Sequence, residues 1–142
     1  GSPYFDFGLK PVFSNFLPST KKEDIIAGSM RGLVFLLCDA VFYLKQQGYN
    51  LESLQTSGGL SGANLVAFQA AILGLTICQN KQKESTLTGA ALIAALSRGL
   101  DISAWRELKN YERISPQMTA EEAQKIYSTW RKFFDWSIKQ VR

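Results

Sequence analysis

Apolar positions recur at helical spacing between residues 20 and 48. Ile25, Ile26, Met30, Leu33, Val34, Leu37, Val41 and Leu44 form one stripe, which predicts an amphipathic helix. Thr20-Lys21-Lys22-Glu23 reads as a capping box at its start, where a hydroxyl and a carboxylate satisfy free N–H groups. Gly48 supplies the stop near Gln47, since glycine accepts the left-handed turn that ends many helices. Gly28 and Gly32, four residues apart, leave room for another backbone to pack closely. Ahead of this helix, Pro3, Gly8, Pro11 and Pro18 predict an irregular or edge-strand segment.

Alternation follows. Leu51–Thr56 reads as a strand, Ala63–Leu73 as a helix, Leu75–Cys78 as a strand and Thr86–Ser97 as a helix ending at Gly99. Short connections between strands and helices indicate an α/β domain with right-handed crossovers. In the tail, Trp105 to Asn110 predicts a short helix or turn, and Thr119-Ala120-Glu121-Glu122 is a second capping box. The helix to about Gln140 carries Ile126, Trp130, Phe133 and Phe134 on one stripe, an arrangement that serves core packing. The expected organisation is therefore a single domain, with residues 1–19 irregular, 20–99 an α/β core and 100–142 a helical tail.

The connection between the first strand and the second helix carries the candidate chemistry. Thr56-Ser57-Gly58-Gly59-Leu60-Ser61-Gly62-Ala63-Asn64 places two adjacent glycines where a backbone can approach an anion without a Cβ in the way. The helix that follows offers N–H groups and the positive end of its dipole to a phosphate. The same pattern also serves a tight strand-to-helix turn with no ligand. Ser85-Thr86-Leu87-Thr88-Gly89-Ala90-Ala91 is a second small-residue helix start, explained equally by an N-cap and close packing.

Composition narrows the chemistry. The 142 residues are 46% apolar and 20% charged, which is globular rather than disordered. There is no histidine, which removes the commonest general base, the Ser-His and Cys-His pairs and most zinc sites. Any chemistry here must rest on carboxylates, lysine, or a bound cofactor and its metal. Cys38 and Cys78 lie in apolar surroundings without metal-type spacing, as buried free thiols of a reducing cytoplasm would. The start, Gly1-Ser2-Pro3-Tyr4, lacks the regions of a signal peptide. The apolar stretch from Gly32 to Leu44 contains Asp39 and is too short to span a bilayer, so no membrane association is expected. The net charge of +4 is concentrated in the tail, but acidic residues are interleaved with the basic ones. A solvated helix face, with no nucleic acid partner, is the expectation.

The order of these motifs resembles the C-terminal lobe of the FGGY carbohydrate kinases, and within that family the ends of the chain are most similar to the glycerol kinases. Ser2-Pro3-Tyr4-Phe5-Asp6 is similar to the small-Pro-Tyr-Trp-Asp segment, and Lys21 through Asp39 to the long helix ending near an Arg-Asp pair. Ser57-Gly58-Gly59-Leu60-Ser61, followed by Phe68-Gln69-Ala70, resembles the nucleotide loop. Glu84-Ser85-Thr86-Leu87-Thr88-Gly89-Ala90-Ala91 resembles the Glu-x-Thr-x-x-Gly-Ala-Ala segment, and Ser115-Pro116-Gln117-Met118 with Tyr127 and Trp130 the tail. The resemblance implies an actin-like, ribonuclease-H-like ATPase lobe, incomplete here because the strand meander that starts the lobe is missing. It also implies ATP or ADP with Mg2+ as cofactor, with nucleotide contacts at Gly58, Gly59, Ser61, Gly62 and Asn64. Phosphoryl transfer to a hydroxyl of glycerol or a sugar would need an N-terminal kinase lobe, which carries the catalytic aspartate. Without it the chain is expected not to be catalytic.

Departures from the family pattern sit at defined positions. Lys10-Pro11 and then Asn15 replace Arg-Gly-x-x-x-Gly, and Arg31 stands where an acidic residue commonly precedes a small one. Leu36, Leu37 and Cys38 replace polar positions, Ser57 stands where glycerol kinases carry Asp, and the loop after Gly59 is about one residue short. These changes motivate an alternative, a non-catalytic kinase-like interaction module. The opening aromatics Tyr4, Phe5, Phe7, Phe13 and Phe16 further predict a homodimer that buries this segment.

Overall fold

A computed structural model of the chain describes residues 4, 8, 10–58, 62–82, 84–103, 105 and 111–141. The elements are α1 (Lys22–Gln46), β1 (Ser53–Thr56), α2 (Ala63–Leu73), β2 (Thr76–Asn80), α3 (Ser85–Ser97), β3 (Tyr111–Ile114) and α4 (Ala120–Val141). Most of the opening segment and of Trp105 to Asn110 lies outside the described residues.

The start of α1 is displaced by one residue from the expected capping box. The Thr20 hydroxyl accepts the Leu17 N–H at 2.8 Å, so it is engaged in the turn before the helix. Lys21 becomes the N-cap residue, and the Asp24 carboxylate accepts its N–H at 2.9 Å. The far end behaves as expected, with Gly48 at φ +86°. Val34, Phe35, Cys38 and Val41 are the buried positions of α1, whereas Ile25, Ile26 and Leu33 are exposed. Only the second half of the apolar stripe therefore meets the core. At 25 residues, α1 is long and apolar enough to cross a membrane by length and composition, because the helix extends well beyond the apolar run from Gly32 to Leu44.

The sheet order is β1-β2-β3, with β2 central. β1 runs parallel to β2 with Ser53 opposite Thr76 and Thr56 opposite Gln79. Such a pair requires a crossover, and α2 supplies it. β3 lies antiparallel to β2, Ile77 facing Ile114 and Asn80 facing Tyr111. This strand falls within the tail read from sequence as helical. Tyr111-Glu112-Arg113-Ile114 is short and polar in its middle, and its exposure follows that pattern.

α2 is apolar around most of its circumference because it is the central helix. Val66, Ala70, Ala71, Ile72 and Leu73 are buried, and the helix touches both α1 and α4. Gly74, at φ 62°, closes it. The core joins α1, α2 and β2 through Phe35, Cys38, Val66, Leu73 and Ile77, with Tyr127 and Trp130 of α4 packed against it. Trp130 stacks on Phe35 at 5.0 Å between ring centroids and on Phe134 at 4.9 Å, so this part of the aromatic stripe is packing. α4 begins as expected: Thr119 N–H donates to the Glu122 carboxylate at 3.0 Å, and Glu122 N–H donates to the Thr119 hydroxyl at 3.2 Å.

Candidate functional site

Because β1 and β2 are parallel neighbours, their carboxyl ends lie at one edge of the sheet. That edge is where α/β sheets bind ligands, in the crevice between the loops that leave adjacent strands. The loop after β1 passes Ser57 and Gly58 and enters α2 at Gly62. Gly58 sits at φ 106°, a backbone conformation that essentially only glycine adopts without strain. Of the residues expected to contact nucleotide, Gly58, Gly62 and Asn64 are described, and Gly59 and Ser61 lie outside the described residues.

Gly62 is the N-cap of α2, at φ −62° and ψ 142°. Its carbonyl accepts the N–H groups of Leu65 and Val66 at 3.0 and 3.1 Å. A glycine there has no side chain with which to cap the first turn, and that turn carries no acidic residue. An incoming phosphate would therefore meet the helix dipole and backbone donors without a competing carboxylate. Asn64, the second residue of the helix, is exposed at the same end. The arrangement can hold an anion.

The loop after β2 reaches the same edge. Asn80 accepts the Gln82 N–H at 2.9 Å, and the Gln82 amide donates to the Thr88 hydroxyl at 2.6 Å, which ties the loop to the first turn of α3. The small residues at the start of α3 left close packing as one reading of that segment. Instead α3 buries none of its residues, and Leu87 and Ile93 are 68% and 70% exposed. Its apolar side faces a cavity shared with Leu100, Ile102 and Trp105.

Magnesium takes oxygen ligands, usually one or two carboxylates together with substrate phosphates and water. Among the described residues no group of three or more His, Cys, Asp or Glu is placed to hold a metal.

A cluster around the Asp39 carboxylate, which sequence reading missed, joins α1 to α4. Asp39 accepts hydrogen bonds from the hydroxyls of Tyr4 and Tyr127 and from Arg131, whose Nη1 is 2.8 Å away. Arg131 also pairs with Asp135 one turn further along α4 at 2.8 Å. Burial and the bond donated to Asp39 push the Tyr127 hydroxyl above its ordinary value. Burial first, and the nearby Asp39 charge second, push the Cys38 thiol up to about 12. With three donors around it, Asp39 is a structural anchor rather than a base. The signal was present in sequence as an acid within the apolar run from Gly32 to Leu44 and a Tyr127-x-x-x-Arg131 pair on the facing helix.

Comparison with known proteins identifies the family of the chain. Residues 1–98 match the C-terminal domain of the FGGY family of carbohydrate kinases. Glycerol kinase of Listeria welshimeri is 30% identical over 141 residues, which covers 93% of this chain and 28% of that protein. Glycerol kinase of Caldanaerobacter subterraneus is 31% identical over 144 residues, 98% of this chain and 29% of that protein. The chain therefore spans a little over a quarter of the length of these relatives. Plasmodium falciparum glycerol kinase, solved with ADP, has a similar fold, with a TM-score of 0.72 at 24% identity over 87% of this chain and 26% of that one. Xylulose kinase of Lactobacillus acidophilus gives a TM-score of 0.72 at 20% identity over 94% of this chain and 28% of that one. A three-stranded α/β unit with a glycine turn at the carboxyl ends of its parallel strands, matched over most of its length, belongs to the FGGY family of carbohydrate kinases, as part of its C-terminal domain.

Proposed function

We propose that this chain is the nucleotide-binding portion of an ATP-dependent carbohydrate or polyol kinase of the glycerol kinase type. The observation that carries the reading is the glycine turn itself, with Gly58 at positive φ leading to an uncapped helix start at Gly62. It occurs in a chain about 30% identical to glycerol kinases and similar in fold to one solved with ADP. In this reading Gly58, Gly59, Ser61, Gly62 and Asn64 line the nucleotide. Magnesium arrives on its phosphates, and an N-terminal lobe supplies the carboxylates and the base. Catalysis then needs both lobes, since phosphoryl transfer depends on positioning and on excluding water. The acceptor is a hydroxyl of glycerol or a sugar, and the setting is the cytoplasm.

Titration with ADP, followed by amide NMR, tests the site. Shifts confined to Gly58–Asn64 at millimolar ADP are the expected result, and an unperturbed loop at that concentration overturns it.

A second reading, a kinase-like module that has lost catalysis, is favoured by the substitutions at Lys10, Pro11, Asn15 and Arg31. Phosphorylation of glycerol by the full-length protein decides against it. For assembly, we propose a homodimer through the opening segment, since Phe13 and Phe16 are 46% and 56% exposed.

A further inference from the structure

Two cavities flank Arg31. The larger, about 740 Å³, lies between residues 10–14, the first half of α1 and the face of α4 that carries Trp130 and Phe133. The smaller, about 520 Å³, lies on the other side of Arg31, beside Asn15, Phe68 and Met118. Gly28 and Gly32 line the larger cavity, and a Cβ at either position would meet nothing within 4 Å. The close backbone approach that their spacing suggested is absent among the described residues. Glycine inside a helix costs stability, and here no neighbouring atom demands it. Open space is kept over the helix instead.

Among the described residues the charge lining this space has one sign. Lys10 and Arg31 are the charged residues lining the two cavities, and no Asp or Glu lines either among the described residues. The Arg31 guanidinium rests 5.4 Å from the centroid of the Phe68 ring and takes part in no ion pair among the described residues. Lys10, Pro11, Asn15, Arg31 and Leu36 each line one or both of these cavities.

We propose that the larger cavity binds a small organic anion with a flat aromatic or short acyl body. Its carboxylate sits against Arg31 and Lys10, and its body lies over Gly28 and Gly32 against Phe35 and Trp130. The volume lies within the range of small-molecule sites, and an apolar lining with a few placed charges is their usual composition. Arginine matches a carboxylate with two parallel donors, which gives the site its preference for an anion. Gly58 and Asn64 line neither cavity, so the site is separate from the nucleotide loop.

Calorimetric titration of the whole chain with 2-naphthoate and with its neutral analogue 2-naphthalenemethanol tests the proposal. Naphthoate should bind about tenfold or more tightly than the alcohol. Gly28→Leu places a side chain in the cavity without a clash and should abolish binding of both. Arg31→Gln should narrow the difference between the two, and Arg31→Gln with Lys10→Gln should bring the affinities to within about twofold by removing both charge-assisted contacts. Circular dichroism and the ADP titration, run on the same variants, report whether the fold and the loop persist, and Gly32→Leu replaces Gly28→Leu if that variant does not fold. No binding of naphthoate at millimolar concentration, equal affinity for the two probes, or binding indifferent to the filled floor overturns the proposal and leaves the nucleotide reading untouched.

Discussion

Asp39 of α1 and Arg131 of α4, far apart in sequence, form an ion pair at 2.8 Å, with side chains 7% and 34% exposed. The pair joins the two longest helices at a point where the Tyr4 and Tyr127 hydroxyls also converge. Desolvating a carboxylate is costly, and here three donors offset the cost.

Removing Arg131 leaves Asp39 buried without its counter-charge, so Arg131→Met should destabilise the chain by about 2–4 kcal/mol. Asp39→Ala should cost less, because Arg131 is partly exposed and keeps Asp135. The double variant should lose less than the sum, because the second change removes a charge already stranded. Urea unfolding of the three variants measures this, and simple additivity would mean that the pair is not coupled.

Alkaline pH should unfold the protein progressively. A group whose pKa is raised by folding binds its proton more tightly in the native state, so stability falls as pH climbs from the unfolded value toward the folded one. For Cys38 that window runs from 9.0 to about 12, and Tyr127 adds to the loss above 10.0 because its value is raised as well. Chemical denaturation at stepped pH should give a flat profile from about neutral to about 9 and a steep fall above it. At pH 8, a thiol reagent should label half-buried Cys78 well before buried Cys38.

Gly58→Ala should weaken ADP binding by about tenfold or more, since at φ 106° a Cβ forces the loop to rearrange. Thermal stability should fall as well, because the strain lies in the backbone and open space around Gly58 does not relieve it. Unchanged ADP affinity would remove this turn from the nucleotide site.

Thr119→Ala should cost about 1 kcal/mol by deleting the N-cap of α4. The Glu122 carboxylate, held below its ordinary range by the Thr119 N–H, would keep that one bond. A lower melting temperature with an unchanged helical spectrum is the expected reading.

Light scattering across a dilution series tests the homodimer. Association that weakens on replacing Phe13 and Phe16 with serine is the expected outcome. A monomer persisting at high micromolar concentration would show that the opening segment is satisfied by its own chain.

Local chemistry was enough for much of this protein. The glycine stops at Gly48, Gly74 and Gly99 all adopt positive φ, the Thr119 capping box forms, and β1, α2, β2 and α3 follow in the expected order. Each depends on hydrogen bonds and periodicities spanning a few residues, which a sequence displays directly. Tertiary structure alone decided the rest. β3 carries little strand pattern of its own and exists because β2 offers it an edge. The apolar stripe of α1 is regular from end to end, yet only the half that meets α2 and α4 is buried. The Asp39 cluster draws on three segments, and the cavities beside Arg31 on residues from both ends of the chain. Such features arise from pairings between distant residues, whose energy depends on which surfaces the fold brings together rather than on any neighbour in sequence.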